Sequence, residues 1–148
     1  MLNILYAKIK VIEKKMTIEE LVENFEFLDS WEDKYRYIIE LGEKLEPLGE
    51  ELHTPEWQVK GCQSQVWLVP QKLSDGKIKF VGDSDAMIVK GLIAIVLFIY
   101  NELTSDEIKN LAINDIFASI GLQEHLSPSR RNGLEAMIEK IRYYAEVL

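Results

Sequence analysis

Residues 65–103 read QVWLVPQKLSDGKIKFVGDSDAMIVKGLIAIVLFIYNEL, and this stretch decides the fold. Its first half contains two β-rich runs, at 65–73 and 77–81, which are separated by Ser74-Asp75-Gly76. A short Asp-Gly connection between two such runs is a strong signal for a tight turn between antiparallel strands. The sequence therefore predicts a β-hairpin here.

The second half of the stretch is a long apolar run. Residues 88–100 are hydrophobic apart from Lys90 and Gly91. The run is too short for a membrane span, which needs about 20 apolar residues. A helix that is hydrophobic nearly all round is normally buried. We therefore expect a helix from Ala86 to about Leu103 to form the centre of the core.

Capping signals predict further helices on both sides of this unit. Helices should begin after Thr17, Ser30, Thr104 and Ser127, and the last of these is followed by a proline at the first helical position. Helices around a small antiparallel sheet make an α+β domain. We expect a sheet of about three strands packed against several helices.

Length and composition indicate one domain. The chain has 148 residues and 47% hydrophobic residues, which suits a single domain with its own core. We expect residues 16–148 to form that domain. Residues 1–15 would be an N-terminal extension, either an added helix or residues upstream of the native start.

The net charge and the cysteine content argue against nucleic-acid-binding and disulfide-bonded proteins. A formal net charge of −8 disfavours nucleic acid, whose binding draws on basic residues. One cysteine cannot form an internal disulfide and suits a reducing compartment. No signal peptide or membrane span is evident. We therefore expect a cytoplasmic protein without a membrane contact.

The single cysteine, Cys62, is the first candidate for chemistry. Gly61 precedes it and would let the backbone turn sharply there. Lys60 could favour the thiolate, which is the nucleophilic form. The alternative is that Cys62 is a small buried hydrophobe, which is a common fate of a free cysteine. The local sequence leaves both interpretations open.

A hydrolytic Cys–His pair and a metal site are weaker alternatives. Only His53 and His125 could serve as a base for the thiol. We interpret both as surface residues. A zinc site would need three or four ligands at recognisable spacing, and we predict no metal.

Two other segments stand out. Gly82-Asp83-Ser84-Asp85 precedes the central helix, where such residues commonly cap the free amides. Arg130 and Arg131 fall in the first turn of the last helix, where positive charge opposes the helix dipole. They are candidates for contact with another molecule. The alternative is that both arginines are simply solvated.

At these segments the chain resembles the SufE/CsdE family of sulfur-acceptor proteins. The matching stretches are Gly61-Cys62-Gln63-Ser64-Gln65-Val66-Trp67, then 82–86 with 88–92, and 125–130 with 132–134. Residues 31–35 and 38–42 agree as well, and the similarity runs from about Ile18 to the C-terminus. Residues 1–15 have no counterpart in the short form of the family.

The resemblance implies an α+β fold related to the iron–sulfur scaffold proteins, with Cys62 on a loop at one end. It implies a partner that carries pyridoxal phosphate, a cysteine desulfurase of the SufS/CsdA type, while this chain holds no cofactor itself. Cys62 would accept persulfide sulfur and pass it to an iron–sulfur cluster scaffold. Residues supporting the thiol loop or contacting the partner would be Gly61, Gln63, Ser64, Asp83, Asp85 and Arg130.

Under this interpretation the protein stimulates the desulfurase and is a sulfurtransferase-type acceptor rather than a stand-alone enzyme. We expect a monomer or weak dimer, with a mobile loop that covers Cys62 until the partner docks. The alternatives are a CsdE-type carrier that feeds another sulfur acceptor, a scaffold that builds clusters itself, and a small Cys-dependent hydrolase.

Overall fold

A computed structural model describes residues 16–148. Within this part of the chain there are six α-helices, one two-stranded sheet and two short 3₁₀ turns. In chain order these are α1 (Ile18–Phe27), α2 (Trp31–Glu43), a turn at Glu50–Leu52, β1 (Val66–Lys72), β2 (Ile78–Ser84), α3 (Met87–Tyr100), α4 (Ser105–Asn110), α5 (Ile113–Ile120), a turn at Gln123–His125 and α6 (Pro128–Val147). The predicted α+β class is confirmed. The predicted extension at 1–15 lies outside the described residues.

The predicted helix starts are confirmed by their caps. The hydroxyls of Thr17, Ser30, Thr104 and Ser127 each accept a hydrogen bond from the backbone N–H three residues later. At Thr104 the box is reciprocal, because Glu107 accepts a hydrogen bond from the Thr104 N–H at 3.1 Å. These contacts satisfy amides that a helix N-terminus leaves free.

The sheet is the predicted hairpin. β1 and β2 are antiparallel, in a register that pairs Val66 with Ser84 and Lys72 with Ile78. It has two strands within residues 16–148, whereas about three were predicted.

The missing third strand is present as a single bridge beside β1. The Val59 N–H donates to the carbonyl of Val66 at 2.8 Å, and the Leu68 N–H donates to the carbonyl of Trp57 at 3.0 Å. The chain then turns at Gly61, where φ is +96°. The paired segment is therefore too short to count as a strand.

The residues predicted to cap the central helix belong to β2 instead. Asp83 and Ser84 are strand residues, and the N-cap of α3 is Ala86, which makes no side-chain cap hydrogen bond. The cap interpretation of this segment was therefore wrong. Gly82 lies where β2 crosses α3, and a Cβ there would come within 2.9 Å of Ile93. The strand pairing continues further than the sequence pattern indicated.

The central helix ends earlier than predicted, at Tyr100 rather than near Leu103. The Asn101 side chain accepts a hydrogen bond from the Phe80 N–H at 2.7 Å. The Ile78 N–H donates to the carbonyl of Leu103 at 2.9 Å. The chain leaves the helix in order to cover the outer edge of β2, since unpaired strand edges are unfavourable.

The helix α3 lies at the centre of the core, as predicted, and α2 packs across it. The two helices approach closely at Gly42 and Gly91, where a Cβ on Gly42 would lie 2.6 Å from the Gly91 nitrogen. No helix within residues 16–148 is both long enough and apolar enough to cross a membrane. The candidate functional site lies against the N-terminal end of α3 and the N-terminal half of α6.

Candidate functional site

Cys62 lies on a short loop at one end of the sheet. We call residues 60–65 the thiol loop; it connects the bridge segment to β1. Its turn is made at Gly61, whose φ of +96° is strained for any residue with a side chain. The loop rests on α6, since a Cβ on Gly61 would lie 3.4 Å from the Cβ of Ala136.

The thiol itself is half-buried against the same helix. Sγ of Cys62 lies 3.6 Å from the carbonyl oxygen of Gly133, which accepts a hydrogen bond from the thiol. A Cβ on Gly133 would lie 3.3 Å from that sulfur. The sulfur therefore packs onto the backbone of α6 at a point where the helix has no side chain.

A pocket of about 230 Å³ opens beside the sulfur. Its floor is apolar and its rim is polar. The floor is formed by Val89, Leu92 and Met137, and the rim by Gln63, Ser64, Ser127, Ser129 and Arg130. The structure thus brings together four of the predicted residues: Cys62, Gln63, Ser64 and Arg130.

Burial raises the pKa of the Cys62 thiol above its ordinary value. A thiol in this position is protonated at neutral pH, because a desolvated site disfavours the charged form. Lys60 was expected to favour the thiolate, and no such effect is seen. Lys60 is exposed and lines a different groove, which it shares with Glu139 and Tyr143.

The two predicted carboxylates lie in different surroundings. Asp85 and Gln65 exchange two hydrogen bonds: the Gln65 N–H donates to Oδ1 of Asp85 at 3.0 Å, and the Asp85 N–H donates to the Gln65 carbonyl at 3.4 Å. Asp85 therefore holds the far end of the thiol loop. Asp83 points away to His53 and Lys90, and it does not line the pocket of Cys62.

His53 is partly exposed rather than fully solvated, because both of its ring nitrogens have hydrogen-bond partners. Its Nε2 lies 2.7 Å from Oδ2 of Asp83, and its Nδ1 lies 3.0 Å from the carbonyl oxygen of Gly49. The ring packs edge-on against Trp67, with 4.6 Å between the ring centroids. The side chain is 24% exposed. His53 anchors residues 49–53 to the sheet.

His125 is exposed, as expected, and it stacks on Trp31 with 4.3 Å between ring centroids. Neither His53 nor His125 lines the pocket of Cys62. The described contacts of Cys62 therefore give no support to a Cys–His hydrolase. Within residues 16–148 no group of three or more His, Cys, Asp or Glu side chains is placed to hold a metal ion.

Several residues of the site were not predicted. Gly133 touches the sulfur, and Val89, Leu92 and Met137 form the floor beside it. The three floor residues carry no sequence signal of their own, because apolar residues in helices are ordinary core. Gly133 does carry one, because a glycine inside a helix costs stability relative to alanine.

Comparisons with known proteins show the fold and the family of the chain. A solved structure, described as the solution structure of a hypothetical protein from Thermus thermophilus, matches with a TM-score of 0.70 and 18% sequence identity. The match covers 87% of this chain and 93% of the other, and at that identity it shows the shared fold alone.

A family model described as "SufE: Fe-S metabolism associated domain" matches residues 19–145. The matched range contains the thiol loop, both strands and nearly all of α6. It confirms the resemblance drawn from residues 61–67 and the segments that follow them. The chain therefore belongs to the SufE family, and its role lies in iron–sulfur metabolism and sulfur transfer.

Proposed function

We propose that the protein is a sulfur acceptor and carrier. Cys62 takes persulfide sulfur from a pyridoxal-phosphate-dependent cysteine desulfurase of the SufS/CsdA type and passes it to an iron–sulfur cluster scaffold. The observation that carries this proposal is one half-buried thiol on a loop that turns at Gly61, beside a pocket of about 230 Å³.

The chemical step is a thiol exchange. The Cys62 thiolate attacks the outer sulfur of the donor persulfide, and a new S–S bond forms at Cys62. The S–S bond of the donor breaks, and its electron pair remains on the donor cysteine as a thiolate. Sulfur is transferred without a net oxidant or reductant. The step needs no histidine base on this chain, provided that Cys62 reaches the donor as a thiolate.

The resting thiol is not yet in that state, because burial raises its pKa. Docking must therefore lift Cys62 from α6 and place it in surroundings that favour the anion. This arrangement protects the thiol between transfers, since a half-buried, protonated sulfur is less readily oxidised to the sulfenic acid than an exposed thiolate. Two features of the thiol loop support this motion: a glycine at its turn, Gly61, and contacts with α6 that involve the small residues Gly133 and Ala136.

The N-terminus of α6 offers positive potential beside the pocket. Ser127 caps the helix, and Arg130 lies on the pocket rim with its side chain exposed. A persulfide anion is favoured by such a helix terminus and by a guanidinium. Arg130 is also free to contact the partner, and arginines are common anchors at interfaces.

Stimulation of the desulfurase follows from the same step. A desulfurase whose cysteine holds a persulfide cannot accept the next substrate sulfur until the first one leaves. An acceptor that removes it shortens that wait, as expected when release limits turnover. The carrier must also leave to deliver its cargo, so we expect a modest, transient interface.

The test is sulfur loading followed by intact mass measurement. The purified chain is incubated with a cysteine desulfurase and free cysteine, and the mass of one added sulfur atom is expected. Dithiothreitol should remove it, and Cys62→Ser should abolish it. A wild-type chain that gains no sulfur beside a loaded donor contradicts the proposal. Turnover of a hydrolase substrate by the chain alone, with loss on His53→Gln, would favour the hydrolase instead.

A further inference from the structure

Gly133 lies inside α6, where a glycine weakens a helix relative to alanine. A Cβ built on it shows what the missing side chain makes room for. The three nearest heavy atoms all belong to Cys62: Sγ at 3.3 Å, Cβ at 3.7 Å and Cα at 3.8 Å. The absent side chain therefore leaves room for the thiol residue.

We propose that Gly133 is a positioning residue for the thiol, an inference that rests on the proposed function. The gap in the surface of α6 lets Cys62 dock onto the helix backbone, so that its sulfur stays half-buried until a partner lifts the thiol loop. Gly133 does not touch the donor sulfur. It determines the position of Cys62 before a partner docks.

Two contacts support this role. The thiol donates to the carbonyl oxygen of Gly133 at 3.6 Å, so the helix backbone provides the acceptor as well as the space. The loop also contacts the helix at Ala136, since a Cβ built on Gly61 would lie 3.4 Å from the Cβ of Ala136. Positions 133 and 136 lie three residues apart and share one helix face. The loop thus docks along a strip of small residues, which is how backbone segments come close together.

The burial of the sulfur is consistent with this docking. Val89, Leu92 and Met137, all buried, line the same pocket as the sulfur. A sulfur displaced from Gly133 would lose its contact with the backbone of α6. It would then lose the desolvation that raises its pKa.

The first experiment compares Gly133→Ala with Asn132→Ala by alkylation of Cys62 with iodoacetamide. Asn132 is the exposed neighbour on α6 and does not line the pocket, and both changes improve the helix propensity. We expect Gly133→Ala to react several-fold faster at neutral pH, with the midpoint of its pH–rate profile shifted to lower pH. Asn132→Ala should match the wild type. Equal rates and equal midpoints for all three proteins would overturn the proposal.

The second experiment is a double-mutant cycle on stability, which separates positioning from a general effect on the helix. Gly133→Ala is made in the wild-type chain and in a Cys62→Ala chain, and urea unfolding is measured for all four proteins. Because Sγ is the nearest atom to the added methyl group, we expect the substitution to be more favourable in the Cys62→Ala background. Additive free energies would contradict a direct contact between the two positions.

Neither experiment uses a desulfurase. A wild-type chain that accepts no sulfur would therefore refute the proposed function, while alkylation and the cycle would still decide the role of Gly133. Conversely, a chain that accepts sulfur normally but shows no effect of Gly133→Ala would keep the proposed function and lose this inference.

Discussion

His53 and Asp83 form a hydrogen-bonded ion pair that ties residues 49–53 to the end of β2. Nε2 of His53 lies 2.7 Å from Asp83, and Nδ1 lies 3.0 Å from the carbonyl oxygen of Gly49. Both ring nitrogens face acceptors, and only the imidazolium can donate from both. Lys90 adds a second cation 3.5 Å from the same carboxylate. The cluster therefore favours the charged form of His53, and it does not line the pocket of Cys62.

The stability of this pair should depend on pH at both ends. The hydrogen bond with Asp83 raises the pKa of His53 above 6.5. Its contribution is therefore fully present below pH 6.5 and is lost as pH rises through the raised value. Burial alone would raise the pKa of Asp83, but the hydrogen bonds from His53 and Ser84 and the charge of Lys90 hold it below 3.8. Its contribution is present above pH 3.8 and is lost as pH falls through the lowered value.

We therefore expect His53→Gln to lose most stability, relative to wild type, between about pH 4 and pH 6.5, and progressively less toward alkaline pH. Urea unfolding at a series of pH values measures the difference. Asp83→Asn is the matched background, because it keeps the side chain's shape and removes the charge. In that background the pH dependence of the His53→Gln difference should largely disappear. A difference that stays constant from pH 5 to pH 9 in the wild-type background would be incompatible with the ion pair.

Asp85 should control how often the thiol loop opens. It holds Gln65 by two hydrogen bonds, one of them to its carboxylate. Removing the carboxylate in Asp85→Ala should cost about 1 kcal/mol, which corresponds to roughly a fivefold larger open population of the loop. The alkylation rate of Cys62 should rise by a similar factor.

Asp85→Asn provides the comparison, because its amide oxygen can still accept from Gln65. We expect its alkylation rate to lie between those of Asp85→Ala and the wild type. If Asp85→Ala alkylates at the wild-type rate, the carboxylate does not restrain the loop.

The crossing of α2 and α3 should tolerate no side chain at Gly91. A Cβ there would meet the carbonyl oxygen and the side chain of Ile38. We expect Gly91→Ala to lower the free energy of unfolding by about 2 kcal/mol, because overpacking outweighs the gain in helix propensity. Urea unfolding tests this.

Gly42→Ala offers a check on the same contact, since a Cβ there would lie 2.6 Å from the Gly91 nitrogen. Once one substitution has forced the helices apart, the second should cost less than it does alone. An unchanged unfolding midpoint for Gly91→Ala would show that the helices can separate freely at this point.

The elements that could be predicted from sequence are those set by local patterns. The turn at Ser74-Asp75-Gly76 and the apolar run of α3 depend on residues close together in the chain, and both elements are where the pattern indicated. The end of α3 was predicted too late because the chain leaves the helix to pair with Ile78. That contact joins residues distant in sequence, and no local signal announces it.

In the candidate site, too, local features could be predicted from sequence and contacts between distant residues could not. Cys62 and the positive φ at Gly61 could be anticipated from the residue types alone. The partner of His53 is thirty residues away, and the acceptor of the thiol at Gly133 is seventy-one residues away. The two carboxylates, close in sequence, serve different neighbours, and their separation could be inferred only once β2 was known to extend through Ser84.

Arg130 should matter to the partner, whereas its neighbour should not. Both Arg130 and Arg131 are exposed on the first turns of α6, but only Arg130 lines the pocket of Cys62. We expect Arg130→Ala to weaken stimulation of a cysteine desulfurase, with about a tenfold or greater rise in the concentration needed for half-maximal effect. Arg131→Ala is the matched control for lost charge on the same helix, and it should change that concentration by less than about twofold.

The readout is alanine release from cysteine at increasing concentrations of each variant. Equal curves for the two variants would mean that Arg130 contributes only its charge, or nothing, to docking.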